Sequence, residues 1–152
     1  MKDFIPRELY DRNTAAKFSL GLVFILLLVT QLFKFEDFPE VLATLGLPGG
    51  EMMATLLAVV IVFIELMALP YLLSIKTRWQ LLQMSRFAVL ISAFLWFCLQ
   101  CWAIGSNAPK AGIFGATLPL DAGVIAMIFS VGLVFASVFI VFDISKIKIT
   151  NK

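Results

Sequence analysis

Residues 52–75, MMATLLAVVIVFIELMALPYLLSI, decide the fold: an unbroken apolar run that carries one charge, Glu65. A helix of about 20 such residues, rising 1.5 Å each, crosses the hydrocarbon of a bilayer. Three further stretches read the same way, residues 15–33, 87–104 and 122–142, and the last is free of charge. A membrane barrel would instead show many ten-residue segments of alternating polarity. The runs here are continuous, so helices are expected. The fold class is all-α: an integral membrane, antiparallel four-helix bundle. No internal repeat or low-complexity tract interrupts it.

Composition agrees. The chain has 152 residues, 61% of them hydrophobic, and a mean hydropathy of +1.00. A soluble domain of this length keeps more polar surface, so the bilayer is the expected partner of much of the exterior. The net charge of +2 gives no field suited to nucleic acid. The chain holds no histidine. That removes Ser-His triads, axial haem histidines and zincin sites from within it, and no metal or haem is expected. The first seventeen residues hold seven charges and no apolar core of signal type, so the run that follows is read as a retained first span.

The connections set the orientation. Lys2, Arg7, Arg12 and Lys17 precede the first span. Lys76, Arg78 and Arg86 join the second to the third, and Lys146, Lys148 and Lys152 follow the fourth. These segments share one side and hold ten of the twelve basic residues; Lys34 and Lys110 lie on the other. The positive-inside rule puts both termini in the cytoplasm of a cell (cytoplasmic or inner) membrane. The organisation is then an interfacial arm over residues 1–16, a membrane domain over 17–142 and a basic tail over 143–152. Trp102 suits the outer headgroup region, and Trp79 and Tyr71 the inner one.

The first outer loop carries structure of its own. Asp37-Phe38-Pro39-Glu40 reads as a helix start, with an acid at the cap and a proline in the first turn. Phe38, Val41, Leu42 and Leu45 share one face, Gly46 is a stop, and Leu47-Pro48-Gly49-Gly50 is a turn into the second span. A short amphipathic helix at the outer interface is expected, either anchoring the bundle or lidding a lipid-soluble substrate. In the second outer loop, Asp121 is a candidate cap for the fourth span.

Glu65 is the most informative position. Thirteen residues after Met52, it lies roughly 20 Å along the helix, near or past the bilayer midplane. An ionised side chain there costs several kcal/mol, on the order of 3, unless paired or hydrated. Glu65 is therefore expected to face the interior. Pro70, five residues on, frees the carbonyl of Leu66 and is expected to kink the span. Candidate partners for Glu65 are Ser92 in the third span, Ser130 or Ser137 in the fourth, and Lys17. The roles open to it are interhelical packing, proton or ligand handling, and contact with another chain.

Cys98 and Cys101 form a C-x-x-C near the outer end of the third span. Residues three apart share a helix face, and a disulfide can bridge them on an oxidising side. The readings are a redox pair or inert packing; two thiols without histidine make a poor metal site. Lys34 ends the first span, with Glu36, Asp37 and Glu40 after it. Gly132-x-x-x-Ala136 is a small-residue pair for packing or for a homo-oligomer.

Taken in order, several of these features resemble the DoxX-like membrane proteins and the related MauE-like methylamine-utilisation proteins. They are Lys17-Phe18-Ser19-Leu20-Gly21 opening the first span, Lys34 at its end, Phe38, Leu42 to Pro48 (Leu-Ala-Thr-Leu-Gly-Leu-Pro), and Glu65-Leu66. The resemblance covers about residues 14–142 and is firmest over 17–75. It implies a four-helix membrane bundle associated with thiosulfate and quinone oxidation, thiol redox partners or maturation of disulfide-rich periplasmic enzymes. A quinone cofactor and a periplasmic or membrane oxidoreductase partner follow from it. MauE-like members carry Cys-x-Cys-Phe-Gly before the fourth span; here the stretch is Ala111-Gly112-Ile113-Phe114-Gly115, which favours the DoxX-like side. On this reading Glu65 holds a proton or a polar ligand, Lys34, Ser92 and Pro70 contribute to ligand binding, and Cys98 and Cys101 form an optional electron site. The alternatives are a non-catalytic membrane scaffold and a small permease. Four short spans without inverted repeats or broken helices argue against the permease unless the chain oligomerises.

Overall fold

The computed structural model describes residues 12–75, 77–117, 121 and 123–149, with side chains placed between 14 and 142. Five helices follow one another: α1 (Arg12–Phe33), α2 (Phe38–Ala43), α3 (Gly50–Leu72), α4 (Trp79–Gly105) and α5 (Val124–Ile149). Four of them contain spans long and apolar enough to cross a membrane: Thr14–Phe33, Gly50–Leu72, Trp79–Gly105 and Val124–Phe142. Among the described residues the extended backbone is limited to an isolated bridge between Lys110 and Asp121. The expectations placed on Lys2, Arg7, Lys76 and Lys152 lie outside the described residues, as do the side chains of Arg12, Lys146 and Lys148.

The helices are longer than the apolar runs. α4 begins at Trp79, eight residues before the expected start, and α5 continues seven residues past Phe142. Hydropathy finds the lipid-length segment, whereas backbone hydrogen bonding carries a helix on through polar residues that favour it. At the other extreme, α3 stops at Leu72 and leaves Ile75 outside. Ser74 there takes a positive φ of 54°, and Ile75 N–H donates back to Pro70 O at 3.0 Å, a left-handed helix stop. The expected turn before α3 is present, with Gly49 and Gly50 at φ 106° and 60°. Asp37 does not cap α2 through its side chain, and Asp121 lies three residues ahead of α5, paired with Lys110 instead of capping it.

Buried positions follow a three-and-four spacing on every long helix. α1 buries Leu20, Phe24, Leu27 and Gln31; α3 buries Ala54, Ala58, Ile61, Glu65, Ala68 and Leu72. On α4 the series is Ser85, Val89, Ser92, Trp96 and Ala103, and on α5 it is Ala126, Ser130, Leu133, Ser137 and Ile140. Such spacing is what helices packed along their length at shallow angles require. The opposite faces expose Leu22, Val29, Leu56, Phe63, Ile91, Phe94, Ile128 and Phe135, among others. So continuous an apolar exterior suits lipid and not water. α3 packs against α4, α4 against α5, and α1 against α3 and, more lightly, α5.

The helices are offset along their axes. Gly21 of α1 lies level with Leu72, where an added Cβ would sit 3.4 Å from the Leu72 Cβ. Gln31, two residues from the end of α1, lies level with Glu65, fifteen residues into α3. The first four turns of α3 therefore rise roughly 22 Å above the point where α1 is running out. The space over α1 is filled by α2, which buries Phe38, Val41 and Leu42 and packs on α3. The loop between α4 and α5 fills the rest, with Ala111 and Ile113 fully buried.

Candidate functional site

Glu65 has no solvent exposure. Its Oε1 accepts from Trp96 Nε1–H at 2.7 Å and from Gln31 Nε2–H at 3.3 Å. The second hydrogen on Gln31 Nε2 goes to the backbone oxygen of Ile113 at 3.1 Å. That carbonyl needs a donor, which fixes the amide's orientation: nitrogen toward Glu65 and the loop, oxygen away. One turn beyond Trp96 on the same face of α4, Gln100 Nε2 donates to Ala111 O at 2.9 Å. Three helices and one loop thus meet around one carboxyl.

The cluster holds polar atoms that the fold leaves open. Every nitrogen donor has a partner. Glu65 Oε2, Gln31 Oε1 and Gln100 Oε1 are buried and accept no hydrogen bond, and the Ser92 hydroxyl, one turn below Trp96, is likewise unpaired. Buried polar atoms are normally satisfied, because each one left open costs about 1–3 kcal/mol. Glu65 and Gln31, which meet here, each leave one oxygen open, and Gln100, bonded to the same loop as Gln31, leaves a third.

The loop that closes the cluster is held at several points. Thr117 Oγ1 donates to Thr30 O at 2.6 Å, satisfying one of the carbonyls that the end of α1 leaves free. Gly115, at φ 61°, runs so close to α1 that a Cβ there would sit 2.9 Å from Gln31 Cα. Only glycine suits both the backbone and the contact. Trp102 Nε1–H donates to Leu45 O at 3.0 Å and ties α4 to the end of α2.

The partners expected for Glu65 are not the ones it has. Ser130 Oγ donates to Met127 O on its own helix, and Ser92 and Ser137 are buried but unbonded. Lys17 lies elsewhere, its Nζ 4.6 Å from the centroid of the Tyr71 ring. Gln31, Trp96 and Gln100 were missed because no charge marks them. Their signal was an uncharged polar or amphipathic residue on the buried spacing of an apolar helix.

The other expected site residues stand apart from the cluster. Lys34 is exposed beyond the end of α1. Pro70 shapes the opposite end of α3: Tyr71 N–H donates to Ser85 Oγ at 2.9 Å, and Ser85 Oγ donates to Ala68 O at 3.1 Å. Ser85 thereby staples α4 to α3 beside Pro70, a proline that α3 runs through on its way to Leu72. Close by, Tyr71 OH donates to Ile140 O at 3.3 Å, and Arg86 Nη2 donates to Val141 O. Cys98 and Cys101 are free and exposed on the outward face of α4, away from Trp96 and Gln100. With Phe97, Trp102, Gly105 and Ser106 they line an apolar groove of about 580 Å³. Among the described residues, no group of three or more Cys, Asp or Glu is arranged to hold a metal ion.

No protein-family model, curated protein or solved structure matches this chain.

Proposed function

We propose that this chain is a DoxX-like membrane subunit or accessory of a quinone- or thiol-linked redox system, with Glu65 as its intramembrane proton site. In this reading the long helices form an antiparallel four-helix bundle, both termini face the cytoplasm, and α2 lies at the outer interface. The observation that carries it is the division of labour on the Glu65 carboxyl. Oε1 is fixed by two N–H donors while the fully buried Oε2 is open. A carboxyl serving only as a packing tie would gain from spending both oxygens. One held by a single oxygen keeps the other free to take and release a proton.

The groove at Cys98 and Cys101 supports the redox half of the reading. It is apolar, open on the lipid side and bordered by Phe97 and Trp102, which suits a flat, lipid-soluble ring. Oxidation of the two thiols to a disulfide gives up two electrons and two protons, which a quinone takes up on becoming a quinol. Quinone retained by the purified protein, or a change in thiol reactivity on adding quinone, is the expected result. The Glu65→Gln variant is expected to stay folded and lose activity, and Glu65→Leu to loosen the helices. Equal loss of assembly in both variants would refute the proton role.

The scaffold reading has one observation in its favour. Five grooves on the molecule are lined by other residues, and Glu65 sits where three helices meet, as a structural knot would. It predicts unchanged thiol labelling, no bound quinone, and a partner chain recovered from native membranes.

A further inference from the structure

The four long helices do not close evenly on one another. α1 packs on α3, and its contact with α5 is light. Between α1 and α5 a groove of about 330 Å³ stays open, walled by Ala16, Leu20 and Val23 on one side and by Ala136, Phe139 and Ile140 on the other. From Ala16 to Val23 the α1 wall runs roughly 10 Å. One leaflet contributes about 15 Å of hydrocarbon, half the bilayer core. The groove therefore suits part of an acyl chain from a single leaflet, and it is too short to seat a partner's spanning helix along its length.

One end of the groove is basic. Lys17 follows Ala16, and its Nζ lies 4.6 Å from the centroid of the Tyr71 ring. The Tyr71 hydroxyl donates to the backbone oxygen of Ile140, a residue of the opposite wall, at 3.3 Å. Arg86 Nη2 donates to the next carbonyl, Val141 O. Tyr71 thus joins Lys17 on the α1 wall to the foot of the α5 wall, where Arg86 is bound.

These residues share one membrane level. Lys17 is three residues into the span Thr14–Phe33, Tyr71 is one short of the end of Gly50–Leu72, and Val141 is one short of the end of Val124–Phe142. That is the depth at which headgroups meet hydrocarbon. Among the described side chains, the carboxylates other than Glu65 sit toward the opposite end of the helices: Glu36, Asp37 and Glu40 around α2, Glu51 at the start of α3, and Asp121 before α5. Val141 O takes one of the five N–H donors of the Arg86 guanidinium, whose fork matches phosphate oxygens. Basic residues beside an apolar slot between spanning helices are the chemistry that holds an anionic lipid headgroup.

We propose that the groove between α1 and α5 binds one anionic glycerophospholipid of the surrounding bilayer, with an acyl chain between the two walls and the phosphate on Lys17 and Arg86. The site rests on the four helices crossing a membrane and stands if the redox reading fails. The test uses the full chain, freed of lipid in detergent micelles. Its thermal unfolding midpoint is followed as phosphatidylglycerol, or phosphatidylcholine with the same chains, is added at equal mole fraction. A saturable rise is expected with phosphatidylglycerol, as for any ligand that binds only the folded state. Half-saturation should come at a several-fold lower mole fraction than with phosphatidylcholine. Lys17→Gln and Arg86→Gln should each raise it roughly fivefold, the equivalent of about 1 kcal/mol per basic residue. Arg78→Gln, exposed and with the same loss of charge, should leave it unchanged. Ala136→Phe, which fills the groove and keeps both cations, should abolish the rise, and Ile91→Phe on the exposed face of α4 should not. Equal half-saturation for the two lipids would overturn the proposal, and so would a rise that survives Ala136→Phe. A wild type that responds to neither lipid and elutes as a dimer would give the groove to a second copy instead. Should Arg86→Gln or Ala136→Phe not fold, Lys17→Gln decides: if it behaves as Arg78→Gln does, the site is wrong.

Discussion

Two glycines of this chain should respond to alanine with opposite signs. Gly115 holds φ 61°, and an added Cβ would lie 2.9 Å from Gln31 Cα and 3.3 Å from Thr30 O. Both obstacles are backbone, so neither can rotate aside, and the loop itself must lift. A left-handed conformation costs an L-residue about 1–2 kcal/mol. Lifting the loop also stretches the bonds from Gln31 to Ile113 and from Thr117 to Thr30, each worth about 0.5–1.5 kcal/mol. Alanine also stiffens the unfolded chain, which returns about 0.4–1 kcal/mol. The net loss expected for Gly115→Ala is roughly 2–4 kcal/mol. Gly132, within α5, is exposed and has nothing within 4 Å of its virtual Cβ. Gly132→Ala should be neutral or gain up to about 1 kcal/mol from helix propensity. The measurement is reversible unfolding in mixed micelles titrated with a denaturing detergent, read by circular dichroism. Limited proteolysis across residues 106–117 reports whether the loop has lifted. If Gly115→Ala falls within about 0.5 kcal/mol of wild type, or if the two variants shift stability in the same direction, the loop is not packed on α1 as described.

Two further outcomes follow from the same geometry. Ser85→Ala should cost about 1–3 kcal/mol, because it removes the acceptor of the Tyr71 amide and the donor to Ala68 O at one buried point; amide exchange at Tyr71 should quicken, and unchanged exchange would show that another acceptor serves it. Cys98 and Cys101 should react in intact membranes with a small uncharged maleimide and resist a charged one, since their groove is apolar; preferential labelling by the charged reagent would place that face of α4 in water.

The four spans were legible because a lipid-length apolar run leaves few alternatives, and Glu65 was legible as a charge that hydrocarbon does not tolerate unsheltered. Its partners were not. Serines on α4 and α5 were the expected partners; instead Gln31, near the end of α1, meets a residue fifteen positions into α3. Sequence periodicity does carry part of the answer. Leu20, Phe24, Leu27 and Gln31 form one buried series, so a polar residue on that seam needs an interior partner. Which partner depends on the axial register between helices, and neither hydropathy nor propensity encodes it. Ser85 illustrates the same limit. A serine in an apolar helix is unremarkable until Tyr71, on another helix, is found to donate its amide to it.

The interior polarity is segregated along the helix axes, and this bears on which part of the molecule can move. At the Tyr71 end, Arg86 and Tyr71 both donate to carbonyls of α5, Lys17 lies over the Tyr71 ring, and Ser85 joins α4 to α3. At the Gln31 end the ties to the closing loop are neutral amide and hydroxyl bonds. Hydrogen bonds from charged groups contribute about 1.5–3 kcal/mol and neutral ones about half that. The Tyr71 end therefore carries a hydrogen bond from a charged side chain, and the loop over Glu65 is held by neutral ones. Were Glu65 to act as a proton site, exchange on the loop side would meet the weaker ties. A cluster clamped equally at both ends could hold its charge but not exchange it.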